Sequence, residues 1–445
     1  MSVLADRTYR RLFAAQVVAL FGTGLTTVAL GLLAYDLAGV GAGAVLGGIL
    51  AVKMVANVVI APVATALADR LPRRTLLVGL DLVRCAVVLA LPWVDQVWQV
   101  VVLVTVSQVA AAAFTPTLQA VIPLILTAER DYTRALTLSR LAYDLEGVLS
   151  PVLAAALLTV VSFSGLFVGT ALGFLASAAL VVTLTLPAHA HERAPLLERT
   201  LAGTRVYLRT PRLRAQLGLN LAAAAAGAMV LVNTVVVVRG GLGHGNASVA
   251  IALGVFGAGS MVAALLLPRV LDRRPDRQVM TCAGVALVVL MLVGAGLFHL
   301  VSDPTGRWVT LLGLWVALGV AYSAVLTPVG RLIRASAAPG DLPALFAAQY
   351  ALSHAEWLVT YLLAGLLGSV FSPAATLACL AVVAVGGVVF GVRAWREGVE
   401  LEHVHADLPE DDPHLVDATH GTDGWRHSHR YLIDRAHRRW PTARA

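Results

Sequence analysis

Long apolar stretches separated by short polar breaks follow one another from near the start of the chain to about residue 396. Twelve are long enough to cross hydrocarbon, at roughly 12–35, 42–66, 75–93, 97–123, 137–161, 165–187, 214–238, 246–267, 279–301, 308–329, 345–369 and 373–395, since a spanning helix needs about 20 apolar residues. None alternates with a period of two. That argues against a transmembrane barrel and for helices, which satisfy their backbone polar groups internally. The pattern predicts an all-α membrane protein with twelve transmembrane helices. Composition agrees: 58% of residues are hydrophobic and 13% charged, with a mean hydropathy of +0.80. A water-soluble fold could not bury that much apolar surface.

Charge then orients the spans. Arg7, Arg10 and Arg11 precede the first run, which lacks the small-residue cleavage pattern of a signal peptide. Alternate loops carry Arg70, Arg73, Arg74, Arg130, Arg134, Arg199, Arg205, Arg209, Arg269, Arg273, Arg274, Arg277, Arg331 and Arg334, while the others carry Arg239 and Arg307. Basic residues collect on the cytoplasmic side, so a multi-pass protein of the cell membrane with both termini cytoplasmic is expected. The pI of about 9.7 therefore requires no nucleic-acid partner. Cys85, Cys282 and Cys379 fall within spans without a CxxC motif and read as buried apolar residues.

The chain also repeats itself. Asp69-Arg70-Leu71-Pro72-Arg73-Arg74 follows the second span and Asp272-Arg273-Arg274-Pro275-Asp276-Arg277 follows the eighth, at an offset of 203. Thr115-Pro116 meets Thr327-Pro328 at an offset of 212, and at that offset Asp144 meets Glu356. Matches in the same order predict two pseudo-symmetric six-helix bundles. The expected organisation is a first bundle over 1–187, a cytoplasmic linker over 188–213 with a short surface helix, a second bundle over 214–396 and a cytoplasmic tail over 397–445.

The stretch ATALADRLPRR, residues 64–74, resembles the loop motif G-x-L-A-D-R-x-G-R-R/K of the major facilitator superfamily. Thr65 and Pro72 stand at the two glycine positions, and Asp69, Arg70, Arg73 and Arg74 keep theirs. The resemblance implies a gating role: Asp69 would sit at the start of the eleventh helix, where free N–H groups attract an anion, and Asp272 with Arg273 would serve in the second half. The fifth span, from Glu146 to Ala155, is similar to the antiporter motif of that family, with small residues at three of its glycine positions and Glu146 at the fourth.

Ionisable residues at membrane depth usually face a cavity or a partner and mark function. Here they are Lys53, Asp81, Arg84, Asp144, Glu146, His354 and Glu356; Lys53 is the chain's only lysine. Asp81 and Arg84, three apart, are expected to form a local pair supporting the loop. Lys53 and Glu356 are expected to pair or to compete for a proton beside a central cavity, with Asp144, Glu146 and His354 as further coupling candidates. Gln16, Asn57, Gln108, Asn220 and Asn233 would line that cavity or act as interhelical hydrogen-bond glue. The function this predicts is a proton-coupled secondary transporter working by alternating access. It would export a drug-like or siderophore-like molecule, or a divalent metal such as nickel or cobalt. No HExxH, GxSxG or Walker motif supports an enzyme. The expected partners are the lipid bilayer, a small-molecule or metal-ion substrate and protons, and the expected state is a monomer.

The tail holds His403, His405, His414, His420, His427, His429 and His437. The H-x-H pairs His403/His405 and His427/His429 are candidate ligands for a divalent transition metal, and no other cofactor is expected. The tail is similar to those of nickel-resistance exporters. Its last part, from Trp425, is a candidate for docking on the membrane or on the transporter body. The alternative function is a membrane metal sensor or adaptor, which would need neither duplicated halves nor a gating loop.

Overall fold

The computed structural model describes residues 3–56, 72–126, 129–184, 196–336, 342–396, 400–405, 419–421 and 424–430. Fourteen α-helices lie in these segments. The first bundle holds α1 (Arg7–Ala38), α2 (Ala42–Val55), α3 (Arg73–Ala90), α4 (Val97–Ile125), α5 (Glu129–Leu157) and α6 (Phe163–Val182). The linker forms α7 (Leu196–Arg209). The second bundle holds α8 (Pro211–Val235), α9 (Asn246–Leu271), α10 (Asp276–Leu300), α11 (Pro304–Leu326), the short α12 (Val329–Arg334), α13 (Leu342–Val370) and α14 (Pro373–Ala394). Ends are set locally. Asp6 accepts a hydrogen bond from the Tyr9 backbone N–H at 2.7 Å to start α1, and Pro211, Pro304 and Pro373 open helices at positions whose N–H would have no partner.

Among the described residues, nine helical stretches are long and apolar enough to cross a membrane. The remaining three expected spans correspond to α2, described as far as Val55, and to α5 and α13, each 29 residues long. At about 1.5 Å per residue, a 29-residue helix reaches some 43 Å, more than the hydrocarbon thickness.

Neighbour relations repeat in the two halves. In the first, α6 packs on α1 and α3, α3 on α4, and α1 on α5. In the second, α14 packs on α8 and α10, α10 on α11, and α8 on α13. This is the spatial form of the internal repeat. Across the interface, α2 packs on α13 and α5 on α9.

The halves meet most closely at the end of the bundle away from the arginine-rich loops. A Cβ on Gly47 would lie 2.5 Å from the Tyr361 carbonyl oxygen, and one on Gly365 would lie 2.6 Å from the Gly43 carbonyl oxygen. Only glycine lets the two backbones approach so far. At the same end, Arg239 beyond α8 donates to Asp36 of α1 at 2.6 Å and stacks over the Tyr35 ring at 4.4 Å.

Three expectations need correction. Asp81 and Arg84 do pair, but deep in the first bundle: they are 0% and 4% exposed, and the guanidinium sits 4.2 and 4.4 Å from the Phe114 and Phe174 ring centres. The aromatic faces make that burial tolerable. Of the cysteines, Cys85 is buried, whereas Cys282 and Cys379 are exposed on their helices. The short linker helix is there as α7, but it is not only a surface element, because its Tyr207 is fully buried against the second bundle.

The tail is not wholly irregular either. β1 (Glu400–His405), β2 (Thr419–Gly421) and β3 (Gly424–Arg430) form an antiparallel sheet in the order β1-β3-β2. The alternation that read as H-x-H ligand pairs is also the period of a strand. Trp425 to Arg430 belong to this strand β3; residues 431–445 lie outside the described residues.

Candidate functional site

A small cavity of about 30 Å³ lies in the first bundle between α1, α2, α3, α4 and α6. Its polar wall includes Thr23, Thr26 and Thr27 of α1, Lys53 of α2, Arg84 of α3 and Gln108 of α4. The threonines already use their hydroxyl protons within α1. Thr23 donates to the Ala19 carbonyl at 3.0 Å, Thr26 to Gly22 at 3.1 Å and Thr27 to Thr23 at 3.1 Å. What each hydroxyl has left to offer is an acceptor lone pair.

Lys53 acts electrostatically on Glu146 of α5 and on His354 of α13. Glu146 reaches this region because residue 24 is glycine: a Cβ there would lie 2.5 Å from Glu146 Oε1. His354 Nδ1 contacts the Tyr350 carbonyl at 2.7 Å, and its ring lies 3.9 Å from the Tyr350 ring centre.

Glu356, half-buried on α13, accepts a hydrogen bond from Asn220 Nδ2 of α8. The expected Lys53–Glu356 ion pair is not present among the described residues; Glu356 is held inside its own bundle, and the acid that feels Lys53 is Glu146. Next to Glu356, the Tyr207 hydroxyl bonds Gln216 of α8 at 2.7 Å and also bonds Gln349 of α13. With one proton to give, the phenol donates to one glutamine and accepts from the amide NH₂ of the other. Burial first, and the Glu356 charge second, push the Tyr207 phenol well above its ordinary value, so it remains a hydroxyl donor. The linker helix is thus tied to the two helices that hold Glu356. Tyr207→Phe should remove about 1 kcal/mol of that attachment and raise tryptic cleavage at Arg205 and Arg209 about fivefold. Unchanged cleavage would mean the phenol does not anchor α7.

The other expected residues divide by role. Gln16 is buried and accepts from Ser139 Oγ at 3.0 Å, joining α1 to α5 as glue. Asn233 also acts as glue, donating to the Ala364 carbonyl at 3.1 Å, and it lines a second cavity with Gly368 and Thr376. Gln108 lines the first-bundle cavity. Asp69, Arg70 and Asn57 lie outside the described residues, as does the side chain of Asp144. Arg73 and Arg74 open α3. Asp272 ends α9 with Arg273 following, but the acid of this loop that pairs is Asp276, bound by Arg331 through its Nε at 3.0 Å. In the tail, the backbone register sets His403 opposite His427, His429 opposite Leu401, and His405 and His420 opposite Trp425. No group of three or more possible metal ligands occurs among the described side chains.

Two features escaped the sequence reading. One is a chain of rings in the second bundle, from Phe256 to Tyr322 at 5.5 Å, Tyr322 to Trp357 at 6.2 Å and Trp357 to Tyr361 at 4.9 Å. The i, i+4 spacing of Trp357 and Tyr361 was its only signal. The other is the glycine contact between α2 and α13, signalled by Gly43-x-x-x-Gly47 inside an apolar run.

A duplicated helical bundle with ionisable groups at membrane depth and a cavity bordered by some of them is the architecture of a membrane transporter. The family description Major Facilitator Superfamily matches residues 12–302, and the chain belongs to that superfamily. Among solved structures, the nucleoside transporter NupG is similar with a TM-score of 0.70 at 13% identity, over 88% of this chain and 100% of that one. A bacterial homologue of the human lysosomal transporter Spinster, inward-facing and unoccupied, gives 0.65 at 14% identity over 87% and 96%. A POT family transporter in complex with 5-aminolevulinic acid gives 0.65 at 11% over 88% and 97%. No curated protein matches the chain.

Proposed function

We propose that this chain is a proton-coupled secondary transporter that exports small organic molecules by alternating access. The observation that carries the reading is Glu356. It is a half-buried carboxyl on α13, the helix that packs across the interface on α2. Burial disfavours the charged form and nearby polar groups favour it, so rocking of the halves changes its proton affinity. Such a difference between states is what coupling requires, and each proton entering down the membrane potential contributes about 2.3 kcal/mol per 100 mV. With the arginine-rich loops cytoplasmic, the closed Gly43–Gly365 end is the outer one, which favours loading from inside. The lysine and arginine in the cavity wall repel a divalent cation, which disfavours metal as cargo.

In proteoliposomes, Glu356→Gln should keep substrate counterflow while accumulation driven by a pH gradient falls at least tenfold. Gradient-driven accumulation at the wild-type rate would remove Glu356 from the proton path.

A second reading concerns the tail alone. His403 and His427 are register partners on β1 and β3, and by the two-residue strand period His405, His420 and His429 occupy positions of the same parity in the sheet. Borderline divalent metals suit such imidazoles, and a site there would regulate the transporter rather than feed it. In nickel titration of the full chain, replacing both His403 and His427 with alanine should weaken binding at least tenfold. Equal binding by the variant would dismiss the site.

A further inference from the structure

The linker helix α7 is held by one narrow face. Gly203 and Tyr207, four residues apart and so on the same side of the helix, are buried, while Arg205, Leu208 and Arg209 are exposed. The Tyr207 hydroxyl enters the seam between α8 and α13, bonded to Gln216 at 2.7 Å and to Gln349. Asn220, the donor to Glu356, stands one turn beyond Gln216 on α8, roughly 6 Å further from the arginine-rich end. Glu356 itself stands two turns beyond Gln349 on α13, and its charge acts on the Tyr207 phenol. Tyr207, Gln216 and Asn220 are 0%, 0% and 2% exposed, so water is shut out of the seam from the linker to the donor that holds the carboxyl.

The same helix has a hinge. Thr210 alone separates α7 from α8. Pro211 has no N–H with which to continue the first helix and keeps Thr210 extended, at a ψ of 111°. Rotation at Thr210 swings α7 as a unit, and the buried Tyr207 is the main contact that opposes it.

We infer that α7 is a lid on the α8–α13 seam: with Tyr207 seated the seam is closed, and Glu356 meets the water at that end only when α7 lifts. The inference deepens the transporter reading, in which that water is the cytoplasm and the exchange so controlled is that of the Glu356 proton. Tyr207 is then a positioning residue for Glu356 as well as the anchor of the linker. An anchor alone would hold α7 without regard to the carboxyl; a lid ties the freedom of α7 to the exposure of Glu356.

The full chain in detergent would be treated with a water-soluble carbodiimide and glycine methyl ester, with amidation of Glu356 read by mass spectrometry against that of the exposed Asp303. Tryptic cleavage at Arg205 and Arg209 would be followed in the same samples. Both reactions need α7 lifted, so Tyr207→Phe should raise Glu356 amidation about fivefold, in step with cleavage. Tyr207→Ala, which also removes the ring, should raise both further. Leu208→Ala, on the exposed side of α7, should leave both at the wild-type rate. Tyr207→Phe keeps the packing of the ring, so the comparison stands even if Tyr207→Ala does not fold. Faster cleavage with unchanged Glu356 amidation would overturn the inference and leave Tyr207 an anchor only. So would amidation of Glu356 in the wild type as fast as that of Asp303, or amidation unmoved in both Tyr207 variants. These rates involve no transport, so they fail independently of proton coupling, which the vesicle assay of Glu356→Gln tests.

Discussion

Transport by Gly365→Val is expected to fall about ten- to hundredfold. The Cβ alone would sit 2.6 Å from the Gly43 carbonyl oxygen and 3.2 Å from the Ala44 and Gly47 Cα atoms. All of these are backbone atoms, so no side chain can turn aside, and the two halves must separate at this end. Overpacking of this kind costs about 1–3 kcal/mol, and each 1.36 kcal/mol is tenfold in a rate or a population. The loss falls on the state in which this end is closed. Gly48 is the control, one residue along α2 with nothing within 4 Å of its Cβ position. Gly48→Val should transport within about twofold of wild type, since it meets no neighbour and overpacks nothing. Substrate counterflow in vesicles measures both, and a Gly365→Val protein as fast as the control would show that the close approach is not needed.

The second large effect is on stability. Asp81→Ala should destabilise the protein by about 3–5 kcal/mol, because it leaves the Arg84 guanidinium buried without its anion. The Phe114 and Phe174 faces, at 4.2 and 4.4 Å, recover part of this, on the order of 1–2 kcal/mol. Replacing both residues with leucine removes the uncompensated charge, and the double variant should therefore unfold at a higher temperature than Asp81→Ala. Thermal unfolding in detergent gives the order. A double variant less stable than the single one would mean that the pair contributes more than its mutual compensation.

The spans were readable because hydrocarbon imposes one length and one composition on every crossing. The charged residues inside them were readable for the same reason, since Lys53, Glu146 and Glu356 interrupt runs that are otherwise apolar. Their partners were not. Successive helical residues turn by about 100°, so which neighbour a side chain meets depends on the rotation of two helices, and spacing along one helix does not give it. Glu356 therefore met Asn220 in place of Lys53, and which of its two expected roles Gln16 takes, here glue to Ser139, was equally out of reach. Tyr207 was hidden by its surroundings, because a linker rich in arginine reads as solvated until its single buried ring is located. The tail carries a shared period: His403-x-His405 is a ligand spacing and also one face of a strand, so spacing alone did not reveal the strand.

The whole account depends on the halves parting, once per cycle, at the end where they now touch. The Asp36–Arg239 contact, 2.6 Å across that seam, is the place to test it. Asp36→Cys with Arg239→Cys, in a chain whose three native cysteines are replaced, would be crosslinked in proteoliposomes and assayed for counterflow before and after reduction. Crosslinked protein should be inactive and should regain its rate on reduction. Transport continuing at full rate through the closed crosslink would contradict alternating access in this chain.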